Sequence, residues 1–447
     1  MNIILLSGGS GKRLWPLSND IRSKQFLKLI KNEQGDLESM VQRVYRQIRE
    51  AGIDAHIVVA TGKSQVDMIK SHLGDSVDIV MEPERRDTFP AIALSSMYLS
   101  LEKGMNPDEV VVVLPVDPYA DMSYFSTLIR MEKAVKDGVA QIVLMGIKPT
   151  YPSAKYGYIM PSVSEHGDMD TVQVSHFREK PTEEVAEVLI GQGGVWNGGV
   201  FAFRLGYIKE LIDKYVKYSN FNDIYDQYAS FPKISFDYEV VEKETSIAMV
   251  SYAGLWKDLG TWNTLTEVMS EKASGNVILT DDCTNTHVIN ELDIPILVLG
   301  MKDSIVAASP DGILVSGKTE SAHIKPYVDS IEQRPMFEER RWGDYRVLGY
   351  FKHQDGAHSL TKYLRIGAGN HISYQEHSMR AEVWTIVEGE GVLIIEGEEH
   401  KVACGDIIHI PRGVKHAIRA IQNLHFIEVQ LGEELTESDI KRYEWTW

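Results

Sequence analysis

Cysteine is scarce in this chain: 447 residues contain two, Cys283 and Cys404. Two thiols cannot build a disulfide framework or a multi-cysteine metal cluster, and they point to a reducing compartment. Long apolar runs are missing as well. Nothing approaches the ~20 residues that span a bilayer, and Ile3-Ile4-Leu5-Leu6 is too short for the apolar core of a secretion signal. There is no internal repeat of solenoid period and no low-complexity segment. Positive charge is in short supply: 46 Lys and Arg against 64 Asp and Glu leave −18. Nucleic acids and anionic membranes attract basic surfaces, so this balance argues against both as partners while leaving room for a local phosphate pocket. The expectation is a cytoplasmic protein with small-molecule ligands. A hydrophobic fraction of 43% is ample for large cores, and at roughly 150 residues per domain the length predicts two or three domains.

The first third alternates short β-rich runs with longer amphipathic stretches. Ile3 to Leu6, Ile57 to Ala60, Val77 to Met81, Val110 to Leu114 and Ile142 to Met145 read as buried strands, with Leu37 to Glu50, Gln65 to His72 and Ala91 to Glu102 as helices between them. Such alternation predicts an α/β fold with a mostly parallel sheet and helices on both faces. Ligands of these sheets collect beyond the carboxyl ends of the strands, so the residues after Leu6 and Leu114 are the first place to look. Farther on, short β runs such as Val277 to Leu279 and Ile305 to Ala307 alternate with Asp, Asn and Gly turns. The last stretch is all-β and broken by glycines, as in a small barrel. The expected domains are 1–265, a β-rich linker unit 266–335, and an all-β domain 336–447.

Just past the first strand stands Gly8-Gly9-Ser10-Gly11-Lys12-Arg13. Its glycines let backbone N–H groups approach a phosphate closely. The loop is no Walker A motif, because Arg13 follows Lys12 where Ser or Thr belongs, and Leu14 stands where a dinucleotide fingerprint needs its third glycine. Arg13 and Lys24, with Lys12 and Arg22, gather positive charge beside it. Asp117 follows the strand Val110 to Leu114, and Asp258 lies between two tryptophans, Trp256 and Trp262. Magnesium takes one or two carboxylates plus phosphate oxygens, so this pair of aspartates is a candidate Mg²⁺ site.

Gly8 to Ser18 followed by Lys24-Gln25-Phe26 resembles the opening of the bacterial mannose-1-phosphate guanylyltransferases. Matching segments follow in order: Glu82-Pro83 with Arg86-Asp87-Thr88, Leu114-Pro115-Val116-Asp117, Tyr156-Gly157-Tyr158-Ile159, Phe177-Arg178-Glu179-Lys180-Pro181, Trp196-Asn197-Gly198-Gly199, Phe236-Asp237-Tyr238 and Trp256 to Trp262. The resemblance implies a Rossmann-like nucleotidyltransferase sheet, a linker like a left-handed β-helix, and a C-terminal cupin barrel. It implies transfer of a nucleotidyl group from an NTP, GTP first among them, to a sugar 1-phosphate such as mannose 1-phosphate, with release of pyrophosphate, in a homo-oligomer serving polysaccharide biosynthesis. Arg13, Lys24, Asp117 and Asp258 would be catalytic, the aspartates holding Mg²⁺. Leu6, Gly8, Gly9, Gly11, Lys12, Glu82, Asp87 and Thr88 would bind nucleotide, and Gly157, Glu179, Lys180, Asn197 and Asp237 the sugar phosphate. The chain departs from the family pattern at Ser23, Asp87, Phe89 and Gly198, and another NTP and sugar pair stays open.

In the last domain, His377 is followed by Glu382, Gly389, Gly405, Pro411-Arg412-Gly413 and His416. This spacing matches the two cupin motifs, with Gln375 where the first histidine often stands. Gln375, His377, Glu382 and His416 could together hold Zn²⁺, Mn²⁺ or Fe²⁺. Arg341 to Tyr345 and Gln375-x-His377-x-x-Arg380-x-Glu382-x-Trp384 resemble a mannose-6-phosphate isomerase domain, while Val383 and Ala417 stand where that domain usually has His and Arg. Two possibilities remain open: a second, isomerase activity, or a metal-binding cupin without it.

Overall fold

The computed structural model describes residues 1–9, 11–162 and 171–447; Ser10 of the glycine loop lies outside them. The chain divides into two compact units, Met1–Gly11 with Ser23–Ser270 and Lys12–Arg22 with Glu271–Trp447.

The first unit is built on nine strands: β1 Asn2–Ser7, β2 His56–Gly62, β3 Asp78–Glu82, β4 Val110–Pro115, β5 Ile142–Ile147, β6 Tyr158–Pro161, β7 Thr171–Arg178, β8 Val195–Arg204 and β9 Ile247–Tyr252. They form one sheet in the order β3-β2-β1-β4-β8-β5-β9-β7-β6. The parallel core expected from strand–helix alternation is there in β3-β2-β1-β4. Beyond it the sheet is mixed. β8 pairs antiparallel with both β4 and β5, and β7 antiparallel with β9 and β6. The physical reason is connectivity: the segment after β5 runs through strand-rich loops, and only a helical crossover forces a parallel return.

Both faces of the sheet are covered, so its strands read as continuous apolar runs. Ile3, Leu5, Val112 and Leu114 point to one face, under α1 Met40–Glu50 and α3 Met122–Lys136, and Ile4, Val111 and Val113 point to the other, under α2 Thr88–Leu101. Helix boundaries follow their caps. Ser39 and Gln42 form a reciprocal capping box that starts α1 at Met40, leaving Leu37–Glu38 to pair as a short strand with Ile30–Lys31. Asp87 caps α2, its Oδ1 accepting from Thr88 N at 2.7 Å. The helix therefore begins before Pro90, which is tolerated in a first turn whose N–H groups lack intrahelical partners.

In the second unit, Ala273–Ser274, His287–Asn290 and Ser304–Ser309 stack as parallel rungs, as do Val277–Leu279 and Ile296–Val298. The segment Lys12–Arg22 is bound to this unit. Arg22 donates to both oxygens of Glu291 at 2.7 and 2.9 Å, Asn19 donates to Asp311 at 2.8 Å, and Ser309 Oγ donates to Pro16 O at 2.7 Å. A six-stranded and a five-stranded antiparallel sheet then pack face to face around Trp384, Ile386, Leu360 and Phe426, each at most 1% exposed. Among the described residues no helix is long and apolar enough to cross a membrane.

Ile4 is fully buried in β1 beneath α2. Ile4→Ala is expected to destabilise the first unit by about 2–5 kcal/mol, seen as a lower urea midpoint in circular dichroism.

Candidate functional site

The carboxyl ends of β1 and β4 lie side by side. Leu6 is in register with Pro115, and Val116 N donates to Leu6 O at 3.3 Å. The loops leaving both strands therefore open onto one cavity of about 440 Å³, lined by Leu6, Gly8, Gly9, Glu82, Asp87, Thr88 and Asp117 among others. Seven of the predicted residues thus share one space. Glu82 is buried at the end of β3 and accepts from the Tyr228 hydroxyl at 2.7 Å; burial pushes its carboxyl above the ordinary range. Asp87 sits in the left-handed region at φ 74° while capping α2. Thr88 Oγ1 accepts from Phe236 N at 2.8 Å, which fastens this wall to the turn that carries Asp237.

Two short strands, Pro118–Ala120 and Trp256–Asp258, pair antiparallel with Asp258 opposite Pro118. This pairing brings Asp258 beside Asp117. Lys24 sits between them, 2.6 Å from Asp117 and 3.3 Å from Asp258. Burial opposes the ammonium charge, but Asp117 and Asp258 outweigh it and raise the lysine's pKa. Two carboxylates converging on one cation have the charge and hardness to hold Mg²⁺.

A second group of predicted residues converges around β8, where Asn197 N donates to Gly157 O at 2.8 Å. Asn197 Nδ2 donates to Asp237 Oδ1 at 2.6 Å, and Glu179 accepts from Lys180 at 2.7 Å. Gly157 lies against Glu179: a Cβ there would collide with Glu179 Oε2 and come within 2.6 Å of Phe177. Glu179 Oε2 itself is buried with no hydrogen-bond partner among the described residues. Burial first, then Glu179, raises the Asp237 carboxyl to about 7.

Lys12 and Arg13 fall in the other unit, on the turn Lys12–Leu14. Lys12 is ion-paired with Asp329 at 3.0 Å, and Arg13 is exposed. Arg85, Arg86, Gln25 and Lys233 also line the cavity. None of the four has a role assigned from the sequence, although two adjacent arginines in so acidic a chain are a usable signal.

The barrel brings its predicted set together in one buried cluster. Ligand atoms of His377, Glu382 and His416 lie within 4.8 Å of one another. Each imidazole donates its Nδ1–H to a backbone carbonyl, His377 to Asp439 O at 3.3 Å and His416 to Val414 O at 3.0 Å. That leaves both Nε2 lone pairs facing Glu382, at 3.2 and 3.6 Å. Burial, then Arg380 and His416, lowers His377 to about 4, so its ring is neutral. His416 Nε2 is buried with no hydrogen-bond partner among the described residues. Neutral, oriented imidazoles and a carboxylate are what a divalent ion requires, so the set fits one. Gln375 turns its amide nitrogen toward His377 Nε2, at 3.4 Å, while its oxygen accepts from Ser373. It would ligate only after the amide rotates. Arg380, Lys362, Glu428 and Gln430 are also buried in the barrel, and Arg380 belongs to the isomerase-like motif.

A family model for nucleotidyl transferases matches residues 2–275, and one for the mannose-6-phosphate isomerase C-terminal region matches residues 331–445. The chain is 30% identical to the mannose-1-phosphate guanylyltransferase of Salmonella montevideo, over 98% of both proteins. The chain belongs to the mannose-1-phosphate guanylyltransferase family. It is also 31% identical to the xanthan biosynthesis protein XanB of Xanthomonas campestris, over 99% of this chain and 98% of that protein. Among solved structures it is similar to one titled mannose-1-phosphate geranyltransferase from Thermus thermophilus, with TM-score 0.62 and 28% identity over 74% of this chain and 99% of that one. Guanylyltransferase family membership makes this chain a sugar-1-phosphate nucleotidyltransferase, with a cupin barrel of the isomerase type behind it.

The Asp237 shift has a stability signature. An unfolded aspartate titrates near about 3.9, so between there and about 7 the folded chain binds more protons than the unfolded one. Stability must then fall as pH rises through that window. Asp237→Asn, which still accepts from Asn197, is expected to flatten this fall. Urea midpoints at pH 5 and pH 8 compare the two slopes, and parallel slopes would count against the shift.

Proposed function

We propose that the chain transfers a guanylyl group from GTP to mannose 1-phosphate, giving GDP-mannose and pyrophosphate. The supporting observation is the cavity that runs from Glu82–Thr88 past Gly8 and Gly9 to Asp117, with Asp258 and Lys24 beside that aspartate. A phosphate oxygen of the sugar 1-phosphate attacks the α-phosphorus, the bond to the bridging oxygen of the β-phosphate breaks, and that oxygen leaves with pyrophosphate. No covalent enzyme intermediate is needed, so the protein's work is positioning and charge neutralisation.

In this reading Leu6, Gly8, Gly9, Gly11 and Lys12 bind the nucleotide together with Glu82, Asp87 and Thr88. The Glu82 carboxylate favours guanine, whose pairing edge offers two adjacent N–H donors. Mg²⁺ held by Asp117 and Asp258 would neutralise the reacting phosphates. Lys24 stabilises charge on the departing pyrophosphate, and Arg13 holds the triphosphate. Glu179, Asn197 and Asp237 hold sugar hydroxyls, Lys180 the sugar phosphate, and Gly157 admits the ring against Glu179. The enzyme would work in the cytoplasm on the way to a polysaccharide. A second activity, mannose-6-phosphate isomerisation, is favoured by the buried His377, Glu382 and His416 set in an isomerase-type barrel.

Two variants test this. Pyrophosphate release with Mg²⁺, four NTPs and a panel of sugar 1-phosphates should peak with GTP and mannose 1-phosphate, and Lys24→Met should lower kcat by about 10²–10³. A Lys24→Met enzyme at full speed would remove that lysine from the mechanism. Gly157→Ala should raise KM for the sugar phosphate about tenfold, in line with the ~1–3 kcal/mol of a typical overpacking, with KM for the nucleotide unchanged. Fructose 6-phosphate formation from mannose 6-phosphate tests the barrel separately.

A further inference from the structure

The barrel's metal set is already engaged by a cation of the protein itself. Arg380 is 3% exposed. Its Nε donates to Glu382 Oε1 at 2.9 Å, its Nη2 donates to His377 Nε2 at 3.3 Å, and its Nη1 donates to Thr436 O at 3.0 Å. Asp439 lies 3.9 Å beyond. The guanidinium thus touches two of the groups suited to hold a divalent ion, and it is fastened at its far side to the backbone.

The conflict is one of electron pairs. A neutral imidazole has one in-plane lone pair. With His377 Nδ1–H committed to Asp439 O, that lone pair sits on Nε2, where Arg380 takes it. A lone pair shared with an N–H cannot also bond a metal. Gln375 faces the same nitrogen at 3.4 Å, but its neutral amide can rotate and offer an oxygen instead. The guanidinium has only donors and no acceptor atom to offer. Glu382 has a further donor, Gln430, on the oxygen that Arg380 holds. His416 Nε2, by contrast, has nothing to surrender.

We infer that Arg380 is a gate on the metal site: it holds Glu382 and His377 in ligand position in the metal-free barrel, and a divalent ion binds only as Arg380 lets go of His377. Arg380 is therefore a positioning residue that keeps the ligands aligned and lowers metal affinity in the same act. This rests on the reading that the barrel takes a divalent ion.

The test is a Co²⁺ titration of the full-length chain, wild type against Arg380→Met, followed by visible absorption and by calorimetry. Arg380→Met should bind Co²⁺ about tenfold tighter or more, the scale of one charge-assisted hydrogen bond. Its Tm should be lower than wild type without metal, because Glu382 loses its buried partner, and should recover with Co²⁺. His416→Ala in the Arg380→Met background should abolish the gain. Wild-type binding with equal or weaker binding by the variant would overturn the gate and leave the metal reading intact. No binding by either would overturn both, since removing the gate should have opened the site. If Arg380→Met does not fold, the wild type decides: the Arg380 side-chain N–H resonances should shift on Zn²⁺ saturation if the gate opens, and unchanged resonances with bound Zn²⁺ would refute it.

Discussion

The transferase half of this molecule depends on the pairing of two three-residue strands. Pro118–Ala120 and Trp256–Asp258 come from parts of the chain more than a hundred residues apart, and their antiparallel register sets Asp258 beside Asp117. Two carboxylates so close repel each other in a half-buried place, and they stay together because Lys24 lies between them. The sheet serves to present three loops at that spot: the one after β1, the one after β4, and the one that leads to α2. Parallel pairing of β1 with β4 makes the first two neighbours, and the Asp87 cap on α2 fixes where the third ends.

The barrel repeats the same electrostatic device in a different fold. There Arg380 stands against Glu382 and His377 as Lys24 stands against Asp117 and Asp258. In both places a protein cation stabilises carboxylates, Glu382 in the barrel and the two aspartates in the sheet, that would otherwise be costly to bury without a counter-charge. The two differ in what the cation can do next. A lysine on a flexible stem can swing to an incoming phosphate, whereas a guanidinium tied to a backbone carbonyl has far less freedom.

Much of this architecture is legible in the amino-acid sequence. The five N-terminal strands announce themselves because a sheet covered on both faces needs unbroken apolar runs, and the glycine loop and aspartates sit where parallel strands put ligands. Helix boundaries are less legible. α2 starts three residues before its expected start, since Pro90 is compatible with a first turn and only Asp87's cap fixes the boundary. The antiparallel insertion of β8 is also hidden, because apolar strands carry no mark of direction. In the barrel, motif spacing locates His377, Glu382 and His416, but the occupation of His377 by Arg380 depends on side-chain direction inside the barrel, which spacing does not encode. Lys12 reads as part of the phosphate cradle from its neighbours, while its ion pair with Asp329, 317 residues on, leaves no mark in the sequence.

The segment Lys12–Arg22 lies between the glycine loop and Lys24 in sequence, yet it is bound to the unit completed by the C-terminal part of the chain. During synthesis it leaves the ribosome early, while Glu291, Asp311 and Ser309 are still untranslated. At about 5–20 residues per second the wait is on the order of tens of seconds. The transferase sheet can assemble in that interval, but the stretch carrying Arg13 stays without its scaffold until the β-rungs are made. Vectorial folding therefore leaves the stretch between the glycine loop and Lys24 unsupported until late, and cutting the gene after residue 275, where the first matched family ends, would take away Glu291, Ser309 and Asp311 together.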